Sequence, residues 1–222
     1  MSPSSRIPLI GAVVATPLFV ILWAIQAATR DGFRPLFQPM SLLSLSDGGW
    51  VQIGNFVATG ILFIAGGVAL TRTLPGGRLP RWIGALIAVI GIGLVIAGAF
   101  ATDAGAGFPA GAPEGAPEMS WHGALHQVGF ILTQLAFVAA SILLAVRFGR
   151  DRQRGWMVTS IAAVAAAVLV VGLGDTETLA IRLVISSAIE LGLISAVALG
   201  VLRAAAGHPE RTGVASEFAR EG

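Results

Sequence analysis

The chain has no cysteine and no tyrosine among its 222 residues, and its sequence contains no lysine either. The absence of cysteine excludes disulfide bonds, thiolate catalysis and cysteine metal sites. Charged residues are also scarce, at 12% of the chain, whereas hydrophobic residues make up 55%. So few polar residues cannot cover the surface of a water-soluble globular protein. The composition therefore indicates a membrane protein.

Six long apolar runs contain most of the hydrophobic residues. Because a helix rises about 1.5 Å per residue, about 20 residues cross a hydrocarbon core about 30 Å thick. We therefore predict an all-α fold, a polytopic membrane protein with a bundle of six transmembrane helices. The helices are predicted at about 8–28, 51–71, 82–100, 122–146, 156–174 and 182–202. They form one domain over residues 1–205, and a disordered cytoplasmic tail is predicted over residues 206–222.

The positions of the arginines predict the orientation of this bundle. Eleven of the fourteen arginines lie in the two terminal segments and in the second and fourth loops. Because basic residues in short loops stay in the cytoplasm, both termini are predicted to lie inside. The basic composition thus reflects membrane orientation, and we expect no nucleic-acid partner. The abundance of arginine, alanine, glycine and valine is typical of high-GC bacterial genes, so we expect a multi-pass protein of a bacterial plasma membrane.

Polar residues within the predicted helices lie mostly in the half of the membrane that this orientation places outside. Unsatisfied polar groups in hydrocarbon cost several kcal/mol, so we expect these side chains to face one another or water. The sequence therefore predicts a polar pocket that opens outward and ends near the middle of the membrane. Its candidate residues are Gln52, Asn55, Asp103, His122, His126, Gln134, Arg182 and Glu190.

Glu190 is the candidate with the strongest claim to a functional role, and it is the candidate catalytic residue if the protein is an enzyme. It lies about eight residues, or roughly 12 Å, inside the sixth helix, where an ionised group costs about 2.5 to 3.5 kcal/mol. It needs either a proton or a partner, and His126, Gln134 and Asn55 are the candidate partners. For Gln134 we favour an interhelical hydrogen bond, and for Arg182 an ion pair with a nearby acidic residue.

A metal site is the alternative interpretation of the two histidines. His122 and His126 lie one turn apart on one helical face, and Asp103 precedes them at the end of the third helix. Three such ligands and a water molecule satisfy catalytic Zn²⁺. Interfacial histidines that only form hydrogen bonds remain the favoured interpretation. We expect no haem, because adjacent turns of one helix cannot supply both axial ligands and the third histidine, His208, lies in the tail.

Several motifs resemble a known family. They are Asp47-Gly-Gly-Trp-Val-Gln-Ile-Gly-Asn-Phe56, Ala97-Gly-Ala-Phe-Ala-Thr-Asp103 and His122-Gly-Ala-Leu-His126. Together they resemble the actinobacterial branch of the membrane family named domain of unknown function 998. The resemblance covers all six predicted helices and implies an integral membrane protein of bacteria. It implies no substrate, cofactor or catalytic residue, so those remain open.

Three classes of function follow from these observations. We favour an accessory or binding protein whose outward pocket takes a lipid or small amphiphile, with membrane lipids as its other partners. The second is a metal-dependent intramembrane hydrolase, in which Asp103, His122 and His126 hold Zn²⁺ and Glu190 is the general base. A fainter similarity to the ceramidase-like hydrolases supports it, although this chain has six helices rather than seven and lacks their third membrane histidine. The third is a transporter, which the scarcity of polar residues in the inner half disfavours.

Overall fold

The structure is a computed structural model, and it describes residues 1–45, 47–74 and 76–206. It contains six long helices: α1 Pro3–Thr29, α2 Trp50–Thr73, α3 Arg78–Ala99, α4 Trp121–Arg150, α5 Arg154–Gly172 and α6 Leu179–Ala206. A short 3₁₀-helix, Met40–Ser44, lies between α1 and α2. All six long helices have the length and apolar composition needed to cross a membrane, which confirms the predicted helical membrane bundle.

The helices begin and end a few residues away from the predicted boundaries. Most are longer: α1 begins at Pro3 rather than near residue 8, and α4 continues to Arg150 rather than ending near residue 146. The apolar pattern marks only the part that lies in hydrocarbon, while helical hydrogen bonding continues into the polar interface. Ala206 is still helical, and the rest of the predicted tail, residues 207–222, lies outside the described residues.

The six helices form a closed ring. Each helix packs against the next one along the chain, and α6 also packs against α1. Thr16 on α1 donates to Ser195 on α6 at 2.7 Å, and the Ser195 hydroxyl in turn donates to the Ala12 carbonyl at 2.7 Å. Because no water is present in hydrocarbon to satisfy these groups, this hydroxyl pair holds the first and last helices together.

Glycines allow α3 to lie unusually close to both of its neighbours. A Cβ added at Gly67 on α2 would lie 2.5 Å from the Gly84 carbonyl oxygen on α3. A Cβ added at Gly93 on α3 would lie 2.6 Å from the Gly129 carbonyl oxygen on α4. Small residues are the usual means of close helix packing in membranes, where dispersion contacts replace the hydrophobic effect. The α2, α3 and α4 helices therefore form a closely packed side of the ring.

The two ends of the bundle differ in character. The α1–α2, α3–α4 and α5–α6 connections meet at one end, which we term the capped end. There the rings of Phe33 and Phe108 lie 5.4 Å apart, and the Ile181 amide donates to the Leu36 carbonyl at 3.3 Å. The opposite end, termed the arginine-rich end, carries the start of α1, the α2–α3 and α4–α5 turns and the end of α6.

Candidate functional site

A cavity of about 330 Å³ opens at the capped end, between helices of the ring. Every long helix except α5 contributes to its walls, and the 3₁₀-helix lies beside it. The lining residues are Phe19, Pro39, Met40, Ser41, Phe56, Leu94, Ala97, Thr102, His126, Gln127, Phe130, Thr133, Gln134, Leu183, Ser187, Glu190 and Leu191. Its volume is within the range of small-molecule sites, about 300 to 1,000 Å³. Three of the predicted pocket residues, His126, Gln134 and Glu190, lie together on its walls.

Glu190 is held in the wall of this cavity by two hydrogen bonds. Its Oε1 atom accepts from Gln134 Nε2 on α4 at 3.0 Å and from Ser186 Oγ, one turn earlier on α6, at 3.2 Å. Gln134 is one of the three partners that the sequence suggests. The other carboxyl oxygen, Oε2, accepts no hydrogen bond from any described residue. Oε2 is therefore the oxygen of Glu190 that a bound molecule can reach.

His126 lies on α4, and one of its ring nitrogens forms hydrogen bonds with carbonyl groups at the end of α3. Its Nδ1 atom lies 2.8 Å from the Ala97 carbonyl and 3.1 Å from the Phe100 carbonyl. Because a carbonyl oxygen can only accept, Nδ1 carries the hydrogen. In the neutral ring, Nε2 is then a hydrogen-bond acceptor in the cavity wall. The edge of this ring also contacts Phe56 on α2, with centroids 6.3 Å apart.

Asp103 and Ser120 form a cap where α3 is connected to α4. The Asp103 carboxylate accepts from the Ser120 hydroxyl at 2.5 Å and from the Ser120 amide at 2.9 Å. The same hydroxyl accepts from the Gly123 amide in the first turn of α4 at 3.1 Å, as a helix N-cap does. The hydrogen bonds from Ser120 hold the pKa of Asp103 below its ordinary value, and the nearby His122 adds a smaller effect of the same sign.

His122 also binds the end of α3, so the two histidines share one structural role. Its Nδ1 atom donates to the Ala101 carbonyl at 3.0 Å and lies 3.6 Å from Asp103 Oδ1. The final carbonyls of a helix lack intrahelical partners, and histidine side chains can satisfy them. Within residues 1–45, 47–74 and 76–206, no three His, Cys, Asp or Glu side chains form a group that could hold a metal. The structure therefore lends the Zn²⁺ hypothesis no support.

Gln52 and Asn55 lie in a separate buried layer between α1 and α2, which we term the amide seam. Gln52 Oε1 accepts from Gln26 Nε2 at 2.8 Å, and Asn55 Nδ2 donates to the Phe19 carbonyl at 3.0 Å. Five buried polar atoms along this seam have no hydrogen-bond partner within the described part of the chain. They are Trp23 Nε1, Gln26 Oε1, Gln52 Nε2, Asn55 Oδ1 and Thr59 Oγ1.

Arg182 is directed to the turn between α5 and α6. Its guanidinium donates to the Val171 carbonyl at 2.8 Å, to the Leu173 carbonyl at 2.9 Å and to the Asp175 carbonyl. It thus reaches Asp175 through the main chain rather than through the carboxylate that the sequence suggests. Arg182 satisfies the open carbonyls at the end of α5, where a cation is also favoured by the helix dipole.

Sequence reasoning from polar residues misses the apolar walls of the cavity. Phe19, Met40 and Phe130 line it, but each resembles an ordinary lipid-facing or core residue in the sequence. The 3₁₀-helix is also missed, because Met40–Ser44 is too short to leave a periodic pattern. One available signal was the length of the first connection, since long loops often carry function.

A comparison with protein families finds one match. The family described as "Protein of unknown function (DUF998)" matches residues 13–219, nearly the whole chain. Comparisons with curated proteins and with solved structures find no match.

Proposed function

Because the chain belongs to the DUF998 family, whose description gives no function, we propose a function from the cavity at the capped end. The protein is an accessory membrane protein that binds a lipid or small amphiphile with a neutral or cationic head group. The observation that supports this is the Oε2 atom of Glu190, which lies unbonded in the wall of an otherwise largely apolar cavity.

The chemistry of the walls favours this class of ligand. Phe19, Phe56 and Phe130 supply aromatic surface for a hydrocarbon chain, while Gln134 and Glu190 supply a polar end. Among the described residues that line the cavity there is no arginine, His126 is the only histidine, and Glu190 is the only acid. His126 forms no ion pair with Glu190, whose Oε1 atom is bound by Gln134 and Ser186. An ionised carboxylate without an arginine partner repels a phosphate but accepts a hydrogen bond from a hydroxyl or an ammonium group. We therefore expect neutral and cationic amphiphiles to bind and anionic ones to be rejected.

The orientation that we propose places this cavity on the outer side of the bacterial plasma membrane. Most arginines lie in the segments of the opposite, arginine-rich end, which the positive-inside rule assigns to the cytoplasm. A ligand then enters from the outer leaflet or from the outer solution. Loops 30–49 and 100–120 would be the first part of the protein that it meets.

The test of this function is ligand-induced thermal stabilisation of the purified protein in detergent. We expect a monoacylglycerol and a long-chain alkylamine to raise the Tm, and an alkyl phosphate of the same chain length to leave it unchanged. Glu190→Leu removes both polar oxygens, so it should abolish both shifts while still inserting into the membrane. In Glu190→Gln the single oxygen can keep the bonds from Gln134 and Ser186, and an amide nitrogen then takes the place of Oε2. A hydroxyl can accept from that nitrogen and an ammonium group cannot, so the variant should retain the monoacylglycerol shift and lose the alkylamine shift.

The matched control is Glu177→Gln, which removes an exposed carboxyl at the capped end outside the cavity. It should preserve both shifts. If Glu190→Leu retained the wild-type shifts with every ligand, Glu190 would not belong to a binding site. If the alkyl phosphate stabilised the wild-type protein most, the assigned ligand class would be wrong.

A further inference from the structure

A second cavity lies at the arginine-rich end and has a different character. Its volume is about 600 Å³, and the ends of α1, α2, α4, α5 and α6 line it. We propose that this cavity binds the phosphate-bearing head group of an anionic phospholipid. The proposal does not depend on the function proposed for the capped end, because the two cavities share no lining residue.

The charges around this cavity favour an anion. Arg72 and Arg147 line it from the ends of α2 and α4, together with one carboxylate, Asp151. Arg147 Nε lies 3.5 Å from Asp151 Oδ2, so that carboxylate is engaged within the wall. Arg72 takes part in none of the ion pairs formed by the described residues. Two guanidinium groups facing one carboxylate leave a net positive charge, and guanidinium groups match phosphate oxygens in geometry.

Serine, threonine and glutamine residues also line this cavity, and its apolar part indicates that the phosphate belongs to a lipid. Phe148 and Trp156 stack with their ring centroids 5.6 Å apart, and both line the cavity. Leu144 and Val197 extend the apolar wall toward the middle of the membrane. A free phosphate ion gains no binding free energy from an apolar surface. The first carbons of an acyl chain do gain it, because they are buried against that surface. Aromatic rings at this level are also typical of the membrane interface.

The low exposure of Arg147 indicates that this arginine does more than set the orientation of the protein in the membrane. Its side chain is only 15% exposed, although arginines that merely set topology need no contact with the protein interior. Arg150 lies three residues later on the same helix and is exposed, so it serves as the natural comparison. If the arginine-rich end is cytoplasmic, it also faces the leaflet in which anionic lipids attract basic segments.

The experiment measures the Tm of the full chain in detergent with increasing amounts of four probes. They are phosphatidylglycerol, phosphatidylcholine, diacylglycerol and water-soluble glycerol 3-phosphate. We expect phosphatidylglycerol to raise the Tm of the wild-type protein most strongly. Arg72→Gln and Arg147→Gln should each weaken its apparent affinity about tenfold, the usual effect of losing one charge-assisted hydrogen bond. The matched control, Arg150→Gln, should bind as the wild type does.

Asp151→Asn is a further variant that keeps the proposal testable if Arg147→Gln fails to fold. It removes the competing carboxylate, so it should bind phosphatidylglycerol at least as tightly as the wild type. Equal stabilisation by phosphatidylglycerol and phosphatidylcholine would overturn the proposal. An equal response of Arg72→Gln and Arg150→Gln would overturn it as well. Equal stabilisation by glycerol 3-phosphate would contradict a lipid ligand and assign the site to a soluble phosphate compound.

Discussion

At the scale of single residues, helix capping accounts for the most distinctive motif of the chain. Asp103 and Ser120 together cap the start of α4. His126 donates to the Ala97 carbonyl in the last turn of α3, and His122 donates to the Ala101 carbonyl just after that helix. Gly123 belongs to the same arrangement, because a Cβ at this position would lie 1.8 Å from Asp103 Oδ2. The spacing of aspartate, glycine and histidines thus follows from joining two antiparallel helices, with no ion required.

The first prediction concerns Asp103, whose carboxylate binds Ser120 in its ionised form. Because those bonds hold the pKa of Asp103 below the ordinary value of 3.8, the ionised form stabilises the fold at higher pH. That stabilisation is lost as the pH falls through the lowered pKa. Asp103→Asn should therefore cost about 1 kcal/mol at neutral pH and progressively less in acid. Thermal unfolding of both proteins in detergent, from neutral pH to below the ordinary carboxyl pKa, measures this difference.

Asp31→Asn is the control for this prediction, because Asp31 is exposed in the first connection at the same end. It should leave the Tm at neutral pH unchanged. A difference between Asp103→Asn and the wild type that stays constant from neutral to acid pH would show that the charge of Asp103 does not contribute.

The sequence shows how deep a residue lies in the membrane more clearly than it shows which neighbouring residues that side chain contacts. Depth along a helix follows directly from sequence position, and it was enough to select Glu190 and to include Gln134 among its three candidate partners. Gln52 and Asn55 lie at a similar depth on α2, yet they face α1 and form the amide seam. Which neighbour a side chain meets depends on how each helix is rotated and placed in the ring. A single sequence does not contain that information.

At the scale of helices, the glycines of α2, α3 and α4 set the spacing of the bundle. Gly60 and Gly67 on α2 face Gly91 and Gly84 on α3, so the same seven-residue spacing occurs on both helices. Because α2 and α3 are antiparallel, this equal spacing lets their backbones meet at two places on the same interface. The α5 helix has no comparable close contacts with the other described helices. In its most apolar stretch of 18 residues, 11% of the residues are buried, whereas the corresponding share is at least 28% in the other helices. It is the helix with the most surface open to lipid.

The second prediction tests this interface with Gly67→Ala. The added methyl group would lie 2.5 Å from the Gly84 carbonyl oxygen and 2.6 Å from the Ala88 amide nitrogen, and main-chain atoms cannot easily move aside. We expect a loss of about 1 to 3 kcal/mol, as for other overpacked sites. Thermal unfolding in detergent measures it.

Gly192→Ala on α6 is the matched control, because a Cβ there would have no atom within 4 Å. Alanine is the better helix former, so this variant should gain about 0.5 to 1 kcal/mol or remain neutral. If both glycine variants changed stability in the same direction and to the same extent, close approach would not be the role of Gly67.

At the scale of the whole molecule, the orientation of the bundle decides which side of the membrane each proposed site faces. The chain has no cysteine, so single cysteines can be labelled without background. Ala110 lies exposed in the connection between α3 and α4, and Gly155 lies exposed at the start of α5. In intact cells, an impermeant thiol reagent should label Ala110→Cys and spare Gly155→Cys. After the membrane is permeabilised, both variants should be labelled.

The reverse labelling pattern would place the capped end in the cytoplasm and exchange the sides of the two cavities. Labelling of both variants in intact cells would instead indicate that the bundle does not adopt one fixed orientation. Either result leaves the ring itself intact, because its contacts do not depend on the side of the membrane.

The sequence was sufficient to count the helices but not to arrange them. Hydropathy and length identify all six spans, since each must satisfy the same physical requirement of crossing hydrocarbon. Closure of the ring by α1 and α6 depends on contacts between distant segments, which periodicity does not encode. The cavity at the arginine-rich end was missed for a related reason. Its lining residues come from five different helices, and its arginines looked like topology signals alone.

Ring closure also bears on how the protein is made. Thr16 and Ser195 lie 179 positions apart, so the pair can form only after α6 has been synthesised and inserted. The same helix brings Glu190 and Ser187 to the wall of the cavity at the capped end. A chain truncated before α6 would therefore lack both the closing contact and the acidic group of that cavity.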